Sequence, residues 1–121
     1  VVYPGTHDNT TITAWWESAA TPKEKATAAA YLHLTGAHPT AKEVAAVKTA
    51  DARTALLRAA LGSVADRAII PMYDWLGLGE EAHLNTPGKL GGNWAWRAEA
   101  GFESKTLAKT IADECSVYCR V

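Results

Sequence analysis

The sequence predicts an α/β fold, two successive βα units of a larger parallel sheet, on three observations. Val1-Val2-Tyr3 and Ala68-Ile69-Ile70-Pro71-Met72 are short apolar, β-forming runs, each followed by a long polar or Gly-rich loop. Helix signals fill the space between the two runs and follow the second. Strands alternating with helices imply parallel pairing through right-handed crossovers. Two parallel strands cannot bury both faces by themselves, so the remaining units are expected upstream. The start at Val1, inside a β-forming run and without methionine, carries the same expectation of a fragment.

Each element has its own justification. Pro4-Gly5 stops the first strand and a polar loop runs from Thr6 to Thr13. Thr21, Pro22 and Glu24 make an N-cap, a first-turn proline and a capping box, so a helix is expected from Pro22 through Leu34, stopped by Gly36. Thr40 and Glu43 form a second capping box. Val44, Val47, Leu57 and Leu61 keep helical spacing as far as Gly62, with Asp51 leaving open one long helix or two short ones. Pro71 places itself near the end of the second strand, since proline donates nothing to a ladder. A last helix is expected over Glu103 to Glu114.

Bulk composition narrows the function classes. The 121 residues are 48% hydrophobic and 21% charged with a net charge of −1, which leaves no basic footprint for nucleic acid and no polybasic stretch for an anionic membrane. No apolar run approaches the ~20 residues that span a bilayer. Cys115 and Cys119 make neither a disulfide framework nor a complete zinc site; free or buried thiols in an intracellular protein fit them best. Gly77-Leu78-Gly79 lacks the rest of a dinucleotide fingerprint, and no cofactor or metal is expected.

The polar residues cluster after the strands, where the loops of a (β/α)8 barrel build an active site. His7, Asp8 and Asn9 follow the first run; Asp74, Trp75 and the segment Asn85 to Arg97 follow the second. A carboxylate flanked by His and Asn suits a polyhydroxylated ligand, or positive charge developing on a sugar ring. On residue types alone an Asx-type turn or helix N-cap is the simpler explanation, because short Asp-Asn loops are common. Trp15 and Trp16 project about 100° apart on a helix, one toward a core and one toward a groove. Trp94 and Trp96 share a face if the backbone is extended. Three or more of the five tryptophans are expected in the core, and His33 and His38 are expected to face solvent or to cap the helix beside them, with no function assigned.

Three blocks then fall into one pattern. Val1-Val2-Tyr3-Pro4-Gly5-Thr6-His7-Asp8-Asn9 with Trp15-Trp16 resembles a block of the amylomaltase family of glycoside hydrolases, the 4-α-glucanotransferases. Pro71-Met72 with Asp74-Trp75-Leu76-Gly77-Leu78-Gly79 resembles the next block. Asn85-Thr86-Pro87-Gly88 with Gly92-Asn93-Trp94-Ala95-Trp96-Arg97 resembles a third. The helices from Thr21 to Leu61 carry little of the pattern.

The resemblance implies that residues 1–121 are the C-terminal part of a catalytic (β/α)8 TIM barrel, its last βα units, incomplete in this chain. It implies transfer of α-1,4-glucan segments, with malto-oligosaccharide as substrate, by a retaining double displacement. Asp8 matches the carboxylate that stabilises the transition state. His7, Asn9 and Asn85 match positions at the substrate. The nucleophile and acid/base belong to upstream strands, so the chain alone is expected to be inactive and to need the missing N-terminal part of the barrel. The expected location is the cytoplasm, or the plastid stroma for a plant or alga. Thr10 stands where the family often has an acidic residue, Ala14 where it often has Gly, Tyr73 where it often has Gln, and His83-Leu84 where it often has Arg-Met. A non-catalytic α-glucan-binding remnant and a hydrolase of the wider α-amylase clan are the alternative readings.

Overall fold

The computed structural model describes residues 1–120. The chain passes through α1 (Ile12–Ala14), which continues as a π-helical turn (Trp15–Ala19), then α2 (Pro22–Tyr31), α3 (Ala41–Ala45) and α4 (Thr49–Leu61). It goes on through α5 (Met72–Leu76), a 3-10 turn (Glu80–Ala82) and α6 (Lys105–Val117).

The two expected strands shrink to a single contact. Val2 and Ala68 form one parallel bridge, the sole β-pairing among the described residues, in which Val2 N–H donates to Arg67 O at 2.8 Å and Ile69 N–H to Val2 O at 2.9 Å. The pairing is parallel, as predicted, but no ladder follows, and the reason is in the sequence. The next two donors in this register are residues 4 and 71, and both are prolines with no N–H. Met72, assigned to the strand, instead opens α5. Nor is the second run buried on both faces: Ile69 is 49% exposed, and Val1 and Tyr3 opposite it are 68% and 50% exposed.

The helical signals hold better. In both capping boxes the threonine hydroxyl accepts from the backbone of Glu24 or Glu43 at 3.2 Å, while that glutamate accepts from the threonine N–H at 2.7 Å. These bonds hold both carboxyls below the ordinary glutamate range, the backbone N–H contributing most. The Val44–Leu61 stretch is two helices, broken before Asp51, which sits in the first turn of α4. The stop after α2 is His33, not Gly36. His33 takes a left-handed φ of 56°, its N–H reaching Ala30 O at 3.1 Å and Leu34 N–H reaching Ala29 O at 2.9 Å, the paired bonds of a Schellman turn. α6 starts two residues later than expected and runs past Glu114; the Ser104 hydroxyl caps it by accepting from Leu107 N–H at 3.0 Å.

Trp16, Ala29 and Ala52 form the centre of the core, flanked by Trp15, Ala28, Leu34 and Val47. The small residues let α2 and α4 close on the indole. Trp16 alone of the five tryptophans is buried; Trp15, Trp75 and Trp96 are half-buried and Trp94 is 53% exposed. The expectation of three core tryptophans therefore fails.

Two long-range ties complete the frame. Glu114 accepts a forked pair of bonds from the Arg58 guanidinium, the shortest 2.7 Å, which joins α6 to α4. Asp74 is 2% exposed and accepts from Ile12 N–H at 2.8 Å, fixing the start of α1 to α5. Burial pushes the Asp74 carboxyl up, against the Ile12 N–H and the Arg53 charge. Gly77 ends α5 with φ 71°, a conformation that favours glycine, and a Cβ there would lie 1.9 Å from an Arg53 guanidinium nitrogen and displace that flexible side chain.

Candidate functional site

The loop after Val2 folds on itself before it reaches α1. Asn9 Oδ1 accepts from Thr6 N–H at 2.8 Å and from the Thr6 hydroxyl at 3.0 Å, and Asn9 N–H donates to Thr6 O at 3.0 Å. Asn9 thus closes the turn by reaching back three residues, in place of the forward bond of the Asx-type turn expected from the residue types. It leaves His7 and Asp8 at the tip, with side chains 51% and 46% exposed. Asn9 lines a separate cavity of about 280 Å³ together with Thr10, Ile12 and Trp15; His7 and Asp8 take no part in it. Trp15 lines this cavity while its other contacts are with the core, and the buried Trp16 lines a different cavity with Pro22 and Val44.

Across 77 residues of sequence, Asn85 meets this tip. Asn85 Nδ2 donates to Asp8 Oδ1 at 2.5 Å, and Asn85 N–H donates to His7 O at 3.1 Å. His7 Nε2 lies 3.5 Å from the same Asp8 oxygen. One carboxylate oxygen is fixed by an amide, and the other, Oδ2, has no hydrogen-bond partner among the described residues. Of the four residues singled out in the sequence, His7, Asp8 and Asn85 come together, while the Asn9 side-chain oxygen is committed to the turn.

A fourth group joins them. The Trp94 indole lies 4.9 Å from the His7 ring, centroid to centroid, at 39°. Trp94 holds φ at 61°, a left-handed conformation that costs a bulky residue about 1–3 kcal/mol. The surrounding loop is fastened to sustain it. Trp94 N–H donates to Leu84 O at 2.6 Å, Asn93 bridges Thr86 N–H and Lys89 O at 3.0 and 2.9 Å, and Arg97 donates to Trp94 O at 2.9 Å. The left-handed turn also separates the two indoles. Trp96 meets Tyr73 edge-on at 6.0 Å instead of sharing a face with Trp94.

A second bridge between the same loops escaped the sequence reading. Glu80 accepts from the Thr10 hydroxyl and from His83 Nδ1, the latter at 2.9 Å, and these two bonds, Thr10 foremost, hold its carboxyl below the ordinary range. His83 Nε2 is buried without a partner among the described residues. Thr10 and His83 are two of the positions where the sequence departs from the family pattern, and the structure joins them through Glu80. Their departure was the available signal; the contact across 70 residues was not. Among the described residues no group of three or more His, Cys, Asp or Glu is placed to hold a metal ion.

Comparison with known proteins bears on this geometry. The glycoside hydrolase family 77 model, described as 4-alpha-glucanotransferase, matches residues 1–103. The chloroplastic/amyloplastic 4-alpha-glucanotransferase of Arabidopsis thaliana is 39% identical over the whole chain, which covers 19% of that protein. The 4-alpha-glucanotransferase of Thermus thermophilus is 46% identical over 84% of the chain and 19% of its own length. An amylomaltase from Streptococcus agalactiae, solved in complex with acarbose, superposes with a TM-score of 0.77 and 27% identity over 98% of this chain and 21% of that one. The chain spans about a fifth of the length of the relatives it matches.

Proposed function

We propose that this chain, which belongs to the 4-alpha-glucanotransferase family, supplies the transition-state-stabilising edge of an active site that transfers α-1,4-glucan segments between malto-oligosaccharides. The observation that carries the reading is the exposed Asp8 carboxylate, held through one oxygen by Asn85 and flanked by His7. Its second oxygen is left to meet hydroxyls of a bound sugar. In a retaining transfer, a nucleophilic carboxylate displaces the leaving sugar, which a carboxylic acid protonates; an acceptor hydroxyl then attacks the glycosyl-enzyme. Both of those groups are assigned to the rest of the full-length protein, so this chain alone is inactive. Asp8 opposes the positive charge that the ring gains as it flattens, and fixed geometry spares it any reorganisation at that moment. His7 is assigned to the substrate and Asn85 to both the substrate and Asp8, while Asn9, its side-chain oxygen held by Thr6, is assigned to shaping the loop that presents them.

The Val2–Ala68 bridge is read as the junction of neighbouring strands in a (β/α)8 barrel, whose other strands would cover Val1, Tyr3 and Ile69. Likeness to a structure that holds acarbose supports a saccharide ligand. Chloroplastic and bacterial relatives support a plastid or cytoplasmic setting, and no helix among the described residues is long and apolar enough to cross a membrane.

The test is disproportionation of maltotriose by the full-length protein and its Asp8→Asn variant, beside a melting curve for each. Removal of the charge with shape preserved should lower kcat and kcat/KM together by on the order of 10²–10³, with KM and melting little changed. Near-normal turnover in a folded variant would refute the role of Asp8.

A further inference from the structure

We infer that Trp94 is a positioning residue for His7: its indole fixes the imidazole beside Asp8, and it serves the reaction through that ring rather than by touching the sugar. The inference rests on the glucan-transfer reading of the site. Its starting point is a mismatch between where His7 sits and what holds it. The backbone of His7 is fastened by Asn85 N–H at 3.1 Å, yet its side chain is half exposed and makes no hydrogen bond among the described residues. The approach of Nε2 to Asp8, 3.5 Å, is too long to orient a ring. A half-exposed imidazole in that situation samples several rotamers. The contact that selects one is the Trp94 indole, tilted by 39° with its centroid 4.9 Å away.

Trp94 is built for such a role. An exposed tryptophan in a left-handed conformation gains little by burial and bears backbone strain, so its placement is set by the loop around it. That loop closes through Leu84 O, next to Asn85, and through Thr86 N–H, just after it. The ring is therefore referenced to the residue that also grips Asp8. One short segment, Leu84 to Arg97, sets the distance between carboxylate, imidazole and indole.

A double-mutant cycle in the full-length protein tests this, with maltotriose transfer, melting and histidine NMR as readouts. Trp94→Ala should lower kcat by about 10-fold, the kinetic equivalent of one aromatic pair, and leave melting unchanged. Trp94→Phe keeps a ring over the imidazole and should stay within about twofold of wild type. In a His7→Ala background, Trp94→Ala should cost nothing further, because the group it positions is gone. The His7 Hε1 resonance, assigned by its loss in His7→Ala, should move downfield in Trp94→Ala as the indole ring current is removed. An equal loss with and without His7 would show that Trp94 contacts the sugar directly and would overturn the inference, as would wild-type kinetics for Trp94→Ala. Absence of transfer by the wild-type protein would instead defeat the functional reading, and the kinetic role of Trp94 with it, while an unshifted His7 resonance would separately refute the ring contact.

Discussion

The helical block over residues 12–61 and the loops that carry Asp8 and Asn85 are held together in different ways. In the block, each helix is closed by its near neighbours in sequence: Thr21 with Glu24, Thr40 with Glu43, His33 with Ala30. Its centre is a buried indole set among alanines. The site is the reverse. His7, Asp8, Asn85 and Trp94 are exposed or half-buried, and the bond that joins them spans 77 residues. A few hydrogen bonds and one ring contact decide its shape, with almost no apolar burial to support them. On the proposed reading, stability and function are thus carried by separate sets of residues. Variants at Asp8 or Trp94 should change turnover and spare melting, and variants in the frame should do the opposite.

Asp74 is where that division is most exposed to failure, because it connects the frame to the root of the site loop. It lies in α5 and accepts from Ile12 N–H, two residues beyond Thr10. Asp74→Leu would leave that buried N–H without an acceptor and should destabilise by as much as about 3 kcal/mol. Thermal melting, with amide exchange over α1, measures it. If turnover of the still-folded variant also collapses, frame and site are coupled and the division fails.

Gly77→Ala gives a smaller effect on the frame side. An alanine forced to φ 71° costs about 1–2 kcal/mol, and the flexible end of Arg53 can move aside from the new Cβ. A lower melting temperature with unchanged kcat is expected. An unchanged melting temperature would mean that the end of α5 relaxes freely and that Arg53 holds nothing there.

The same contrast explains what could be read from the sequence. Both capping boxes were legible because their parts lie three residues apart, and so was the Asp51 region as a point of uncertainty between one helix and two. The strands were over-read: apolar, β-forming residues announced them, but Pro4 and Pro71 occupy the two donor positions a longer ladder requires, a fact that emerges only once the register is known. His33 was legible as a solvent-facing or capping residue and does cap α2, but Gly36 offered the easier signal for the stop. In the site, His7, Asp8 and Asn85 were recognised as chemistry but could be joined only through the family pattern. The Trp94–His7 contact and the Thr10–Glu80–His83 bridge depend on a left-handed turn and on chain crossings that no local spacing encodes.

The smallest predicted effect separates the charge of Asp74 from its hydrogen bond. Burial raises its pKa above the usual value of 3.8, so ionisation opposes folding. Stability from this group is fully present below pH 3.8 and is lost as pH rises through the raised native value. The exterior carboxylates Glu24, Glu43, Glu80 and Glu114 run the other way: their lowered values give stability that is present above pH 4.5 and lost as pH falls through the native values. In wild type the two trends overlap and partly cancel, which hides the Asp74 contribution. Asp74→Asn keeps a side-chain oxygen for Ile12 N–H and removes the titration, leaving the loss of Arg53 attraction as the opposing change. Since burial outweighs that attraction, the variant should gain on wild type as pH rises from 3.5 toward 7, and the difference between their urea midpoints should widen in that direction. A difference that stays flat across this range would mean that Asp74 ionises as easily in the native protein as in the unfolded one. A difference that narrows or reverses would mean that Arg53 and the Ile12 N–H, not burial, govern the carboxylate.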